Sequence, residues 1–274
     1  MKKAYLFLVL APNLVNISGA ATVANWKEFN TNAAVVPITG ANTDSPVFGD
    51  GSLNSAQAAW VGGQFGTTGS PESVTLAVGD TLTVSGGLTL TGGTNNSTQF
   101  RFGVFNDGGQ FAADSGSNWT GGWLHMIDTT AAFDLFQGRT NGAFISTKAN
   151  AVDLNSVVTR SGTFDGDSAT PFSFSMTITR DSATTVDVVS LITGGDGGYS
   201  EQYVKEDITT GNFTYSATVF LFGGTSGVEQ ASFSGVQYEI TLVPEPSSAL
   251  LGLTGLLIGF VRRRQEDRPI RQTA

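Results

Sequence analysis

The sequence predicts an all-β fold, a two-sheet antiparallel jelly-roll sandwich, on two observations. Apolar residues alternate with polar ones over several short runs, which is the pattern of strands with one buried face. Glycine-rich turns separate these runs, and no window shows apolar residues at helical spacing between helix caps. The length of 274 residues leaves room for one large β domain.

The strands are predicted where the alternation is strongest. In chain order these runs lie at 74–84, 100–104, 172–178, 213–219 and 236–240. Within each run the apolar residues share one parity, so they are expected to point into a common core. The segment 31–72 is poorer in pattern and is predicted to be a loop-rich part of a domain that spans 21–243.

Composition and charge exclude several classes of function. Residues 21–243 carry seven basic side chains against twenty acidic ones, a net charge of −13. This surface repels nucleic acid, so no nucleic-acid partner is predicted. With no cysteine and one histidine in the chain, disulfide scaffolds, thiolate zinc sites and cysteine nucleophiles are excluded.

The first twenty residues have the three-part layout of a secretory signal peptide. Lys2 and Lys3 precede an apolar run, and small residues, Ser18 and Ala20, stand at the −3 and −1 positions of a cleavage site. The sequence therefore predicts an N-terminal signal helix over 1–20 that is removed after Ala20.

A second apolar segment lies near the C-terminus. Three features follow one another here: the tripeptide Pro244-Glu245-Pro246, the apolar run 249–261 and the basic cluster Arg262-Arg263-Arg264. A helix of about 15 residues reaches about 22 Å, short of the hydrocarbon core of about 30 Å, but snorkelling arginines extend its reach. The pattern predicts a short transmembrane helix with the arginines and the tail 265–274 in the cytoplasm.

The segment 244–264 resembles the PEP-CTERM sorting signal of Gram-negative bacteria. The motif Pro244-Glu245-Pro246, the short apolar helix and the arginine cluster stand in the order of that signal, although the tail 265–274 is longer than usual. The resemblance implies transient insertion in the inner membrane and removal of the helix by an exosortase. It further implies export to the cell surface or to the exopolysaccharide matrix.

The domain itself is similar to the concanavalin A or laminin-G type of jelly roll. The similarity rests on the runs 74–84 and 100–106 and on the closing Phe233-Ser234-Gly235-Val236. It implies a concanavalin-like sandwich, and it implies calcium as a candidate ligand at the loop edges.

Two groups of residues are candidates for binding. Trp119 and Trp123 flank a pair of glycines and could stack on sugar rings, although the sequence favours a role in the core. Asp165, Asp167 and Asp196 lie in glycine-containing loops and could donate oxygens to calcium. Ordinary turn chemistry is the favoured interpretation of these aspartates.

Catalytic candidates are few. The nearest pair of carboxylates on a predicted strand, Glu201 and Glu206, is five positions apart and should point to opposite faces, unlike the pair of a retaining glycosidase. His125 could act as a base, with a tyrosine or arginine from another strand, but the favoured interpretation is a strand histidine.

These observations leave two hypotheses. The favoured one is an exported, non-enzymatic surface or matrix protein whose sandwich binds polysaccharide or other matrix components. The alternative is a secreted carbohydrate-active enzyme, a lyase or hydrolase, that uses His125.

Overall fold

The computed structural model describes residues 18–28, 38–49, 59–92, 99–109, 111, 120–127, 134–138, 151–153, 157–223 and 228–243. These residues form strands and turns. In chain order the strands are β1 (Ser18–Glu28), β2 (Ile38–Thr39), β3 (Val47–Phe48), β4 (Ala59–Thr67), β5 (Ser70–Pro71), β6 (Val74–Thr75), β7 (Thr81–Thr91), β8 (Gln99–Asn106), β9 (Thr120–Ile127), β10 (Asp134–Gly138), β11 (Ala151–Asp153), β12 (Val157–Ser161), β13 (Phe172–Arg180), β14 (Thr185–Gly194), β15 (Tyr199–Thr209), β16 (Thr214–Tyr215), β17 (Ala217–Gly223) and β18 (Gln230–Thr241).

The long strands form two antiparallel sheets, which confirms the all-β sandwich. Sheet A runs in the order β1-β18-β7-β13-β14-β15-β12, and sheet B in the order β1-β4-β17-β8-β9-β10-β11. Every pairing along both orders is antiparallel.

Strand β1 belongs to both sheets. Its first half, from Ser18 to Thr22, pairs with β18, and its second half pairs with β4. The change of sheet falls between Thr22 and Val23, and the pairing with β4 then shifts register between Ala24 and Lys27, where Asn25 adopts a φ of +54°. A short polar side chain tolerates this left-handed conformation better than most, so asparagine fits the bend.

Aromatic and branched side chains from both sheets meet in one core. Phe102 of sheet B lies 5.4 Å, centroid to centroid, from Phe174 of sheet A, and Phe220 lies 4.5 Å from Phe233. The predicted alternation holds on β13, where Phe172 and the three apolar residues at 174, 176 and 178 are all buried.

Two of the predicted runs do not form single strands. Val78 is 51 % exposed, because the chain turns between β6 and β7, and the Asp80 carboxylate accepts a hydrogen bond from the Ala77 amide at 2.9 Å. In the run 213–219, the residues that face the core change after β16 from odd-numbered to even-numbered positions. Phe220 of β17 belongs to the core cluster, whereas Val219, also buried, stands on the opposite face of the sheet.

The prediction that 31–72 is loop-rich is corrected by β4. This strand of nine residues lies inside sheet B between β1 and β17. Its apolar alternation is broken by Gly62 and Gly63, and Gly63 is needed because neighbouring side chains lie close to its Cα. A Cβ on Gly63 would stand 2.5 Å from a methyl group of Val23 and 2.8 Å from the Trp26 ring.

The predicted targeting segments fall mostly outside the described residues. Residues 1–17 and 244–274, with the signal and sorting helices, are not described, and no helix among the described residues could cross a membrane. Ser18, Gly19 and Ala20 lie in β1 opposite Thr241, Ile240 and Glu239. Cleavage after Ala20 would therefore shorten β1 by three residues and leave its junction with β4 intact.

Candidate functional site

His125 lies in a hydrogen-bonded network that joins the two sheets. It projects from β9 of sheet B, with Nδ1 2.7 Å from Oγ of Ser190 on β14 and Nε2 3.2 Å from Oε1 of Glu201 on β15. Tyr199 donates its hydroxyl to Oε2 of Glu201, and the Arg160 Nε lies 3.5 Å from the same oxygen. The network adds polar contacts to an interface in which aromatic side chains of the two sheets pack against each other.

The geometry favours a neutral histidine beside an ionised glutamate. Burial lowers the pKa of His125 below its ordinary value, although the hydrogen bond to Glu201 acts in the opposite direction. Burial raises the pKa of Glu201, but hydrogen bonds from His125 and Tyr199 outweigh it and hold that pKa below its ordinary value. In this state His125 donates from Nε2 and accepts the Ser190 hydroxyl at Nδ1.

The centre of the network is buried, and Arg160 is the member that reaches solvent. His125, Ser190 and Glu201 are each 0 % exposed, so a substrate cannot reach the imidazole in this structure. A serine, a histidine and a glutamate are thus brought together, but as a structural cross-link. Glu206, in contrast, is exposed, as its distance of five positions from Glu201 predicted.

Glu201 was missed as the partner of His125 because the two are 76 positions apart in the chain. A signal was nevertheless present. Glu201 shares its parity with Tyr199 and Tyr203, both of which face the core, so a charged residue stands on an otherwise aromatic buried face. A buried carboxylate needs hydrogen-bond donors, and the only histidine of the chain is one of them.

The tryptophans offered as glycan contacts do not form a binding platform among the described residues. Trp123 is 1 % exposed and donates its indole N–H to the Tyr215 hydroxyl at 3.1 Å, so its ring is packed in the core and has no face for a sugar. Burial raises the pKa of Tyr215 to about 12, which keeps this acceptor protonated. Trp119 lies outside the described residues.

The three aspartates proposed as calcium ligands act as turn acceptors. Asp165 accepts the amide of Asp167 at 3.0 Å, and Asp167 accepts the amide of Gly92 at 3.1 Å. Asp196 accepts hydrogen bonds from Ala169 and from the hydroxyl and amide of Thr170, which lower its pKa. No group of three or more acidic or histidine side chains within the described segments is placed to hold a metal ion.

A groove of about 440 Å³ crosses the outer face of sheet A. It lies over β18, β7, β13 and β14, and we call it the serine groove. Its lining residues carry no charge and are Ser85, Gly86, Gly87, Ser173, Phe174, Ser175, Leu191, Thr193, Ser234, Gly235 and Gln237. The volume falls in the range of small-molecule and oligomer sites, which is about 300–1,000 Å³.

Glycines of β7 and β18 form part of the floor of the serine groove. Gly87 points outward, and a Cβ there would stand 2.3 Å from Oγ of Ser234. Gly235, with a φ of +57°, lies in a bulge of β18 where the register shifts between Ser234 and Gln237. The Ser234 hydroxyl thus fills the place above Gly87, whereas at Gly235 a Cβ would meet no atom within 4 Å, so the bulge leaves that part of the floor open.

The outer face of sheet B has a different character. Phe220 and Phe102 point into the core, so their strand neighbours Val219, Leu221 and Phe105 point outward. These three are nevertheless buried, at 0 %, 3 % and 0 % exposure. Among the described residues, these apolar side chains distinguish this face from the outer face of sheet A, where serine and threonine side chains such as Ser173 and Thr193 reach solvent.

A smaller cavity of about 340 Å³ lies near the ends of β5 and β8. Its buried carboxylate, Asp107, accepts hydrogen bonds from the Ser216 hydroxyl, the Gly109 amide and the Gln64 amide group at 2.6, 3.0 and 3.2 Å. Three donors already satisfy this carboxylate, so it stabilises the turn that follows β8.

Comparisons with known proteins add little beyond the fold. No protein-family model matches the chain, and no curated protein matches it. Among solved structures it is similar to the Emp47p carbohydrate recognition domain, at 11 % identity over 81 % of this chain and 94 % of that one, with a TM-score of 0.44.

Two plant lectins are similar to the same extent. Lotus tetragonolobus seed lectin has 10 % identity over 84 % of this chain and 100 % of its own, with a TM-score of 0.45. Lectin UEA-II complexed with galactose has 10 % identity over 82 % and 98 % of the two chains, with a TM-score of 0.41. Identities and TM-scores this low transfer no residue role to this chain.

Proposed function

We propose that this chain is an exported, non-enzymatic matrix protein that binds polysaccharide through the serine groove. The observation that carries the proposal is the uncharged, hydroxyl-lined groove on the outer face of sheet A. Hydroxyl and amide groups are the donors and acceptors that match the hydroxyls of a sugar. The net charge of −13 over residues 21–243 favours a neutral polymer over an anionic one.

The delivery of the protein follows from its two ends. The signal peptide 1–20 directs export, and the segment 244–264 holds an inner-membrane intermediate until an exosortase acts at Pro244-Glu245-Pro246. The mature domain then reaches the cell surface or extracellular matrix of a Gram-negative bacterium. Ser18 pairs with Thr241, so both targeting segments join the sandwich at neighbouring strand ends.

Affinity electrophoresis tests the binding function. The full chain, in neutral detergent, is run through gels that contain the exopolysaccharide of the producing bacterium, with calcium or with a chelator. We expect retardation in both gels, because the aspartates 165, 167 and 196 are engaged in turns. Retardation only with calcium would restore a metal role for them, and unchanged mobility in every gel would contradict polysaccharide binding.

Filling the groove should weaken this retardation. Ser173→Leu removes a hydroxyl and places a larger apolar side chain in the groove, and we expect the affinity to fall about tenfold, or about 1.4 kcal/mol. Thr177→Leu is the matched control, because Thr177 lies on the same strand and face but outside the groove. Equal retardation of the two variants would remove the groove from the proposal.

Processing is tested separately. In the native host, Glu245→Ala should leave the unprocessed chain in the membrane fraction, because the change alters the tripeptide that the exosortase is proposed to recognise. Glu266→Ala, in the tail, changes the same residue type outside the motif and should be processed normally. Normal trimming of the Glu245 variant on an immunoblot would count against the sorting role.

A further inference from the structure

We infer that the serine groove binds an extended, uncharged polysaccharide chain that lies across the strands, with about one sugar ring over each of four strands. This inference rests on the proposed function and goes further by giving the shape and direction of the ligand.

The strand registers place the lining residues in two rows perpendicular to the strands. Each row takes one residue from β18, β7, β13 and β14 in that order. The first row is Ser234, Gly87, Ser173 and Thr193, and the second is Gln237, Ser85, Ser175 and Leu191. Adjacent strands are about 4.8 Å apart, so each row extends about 14 Å.

This spacing suits a particular kind of polymer. A linear chain of equatorially linked pyranose rings has a repeat close to the distance between neighbouring strands. Such a chain would present its hydroxyls to one strand after another without a change in register. A coiled chain of axially linked rings would lose this match after one or two rings.

The hydrogen bonding of the face supports a direction across the strands. Outside the groove, Thr177 and Thr179 on β13 share hydrogen bonds with Thr83 and Thr81 on β7, at 3.1 and 3.0 Å. Within the groove, among the described residues, the side chains of both rows make no such pairs. The hydroxyl and amide groups of the two rows therefore remain available to hydrogen-bond a ligand that lies across the strands. The threonine hydroxyls farther along β7 and β13 are already hydrogen-bonded to each other.

The floor of the groove allows a ring to approach the backbone. Gly87 takes the second place in the first row and carries no side chain, and Gly235 follows Ser234 in the bulge of β18. The Ser234 hydroxyl reaches over Gly87, so a sugar ring on the first row would rest on this hydroxyl beside that of Ser173. Leu191 adds an apolar side chain at the β14 end of the second row.

Oligosaccharides of defined length test the inference on the full chain. Isothermal titration with β-1,4-linked glucose oligomers of two to six rings should show affinity rising to about four rings and then levelling off. α-1,4-linked glucose oligomers of equal length should bind at least about tenfold more weakly, since they coil away from the rows.

Two isosteric variants test the direction. Thr193→Val removes a hydroxyl at the end of a row and should weaken binding of the four-ring oligomer several-fold while leaving the two-ring oligomer nearly unchanged. Thr177→Val removes a hydroxyl along the strand and should change neither. The reverse pattern, or affinity that keeps rising from four to six rings, would overturn the crosswise direction even if the polysaccharide is still bound.

Two other results would contradict glycan binding itself and not only the direction of the ligand. If no neutral polysaccharide or oligomer binds at all, both the proposed binding function and the crosswise direction of the ligand are wrong. If sedimentation shows self-association that Thr193→Val abolishes, this face joins two copies of the chain, and the glycan assignment is overturned.

Discussion

Replacing Glu201 with alanine is expected to lower the free energy of unfolding by about 3–5 kcal/mol. The substitution removes the acceptor for the His125 Nε2 proton and for the Tyr199 hydroxyl, both of which are buried between the sheets. Because these donors are buried, water cannot replace the lost acceptor, and a cavity remains where the carboxylate stood. Chemical unfolding of the full chain, followed by tryptophan fluorescence, measures the loss.

Three further variants separate the network from simple truncation. Glu206→Ala is the matched control on the exposed face of β15, and it should change stability by less than about 0.5 kcal/mol. Glu201→Gln keeps an acceptor and should cost less than Glu201→Ala. The double variant His125→Leu/Glu201→Met replaces the pair by apolar groups, and it should be more stable than Glu201→Ala alone. If Glu201→Ala is as stable as Glu206→Ala, the network contributes nothing to the fold.

The same network decides how the enzyme hypothesis should be tested. A buried imidazole that accepts from Ser190 and donates to Glu201 has the components of a catalytic triad without access for a substrate. Loss of any activity in His125→Ala would therefore be uninformative unless the variant is shown to be folded. Turnover of the host polysaccharide by the wild-type chain is the result that would revive the enzyme.

Local patterning in the sequence was sufficient to predict the sandwich. Strands such as β13 and the second half of β18 bury one face only, so their alternation is visible in the residues themselves. The pattern failed where both faces of a strand are buried. On β17, Val219, Phe220 and Leu221 are all buried, and on β4 glycines interrupt the apolar residues, so neither strand shows a clean period of two.

The sites depend on pairings that no local pattern specifies. The serine groove joins Ser85, Ser173, Thr193 and Ser234, which come from four strands and become neighbours only through the register of sheet A. The bond between His125 and Glu201 likewise crosses from one sheet to the other. The tryptophans show the opposite limit: composition drew attention to Trp123, but its burial depends on Tyr215, 92 positions away.

Acidification is expected to destabilise the chain below about pH 6.5. The pKa of His125 is lowered in the folded state, so between that pKa and the ordinary value of 6.5 the unfolded chain binds more protons. Stability contributed by the neutral imidazole is therefore lost as the pH falls, at up to about 1.4 kcal/mol per pH unit. Glu201 adds a second loss below about pH 4.5, because its pKa is also lowered by folding.

The assignment of this effect is unusually direct, because His125 is the only histidine in the chain. The free energy of unfolding, measured at intervals from pH 8 to pH 5, should be level above pH 7 and fall below pH 6.5. In His125→Gln, which can still donate a hydrogen bond to Glu201 but does not titrate, the curve should stay level down to about pH 5. A level curve in the wild-type chain would mean that His125 has the same pKa in both states, and the buried neutral imidazole would have to be abandoned. An equal slope in wild type and His125→Gln would assign the loss to other groups and remove His125 as its cause.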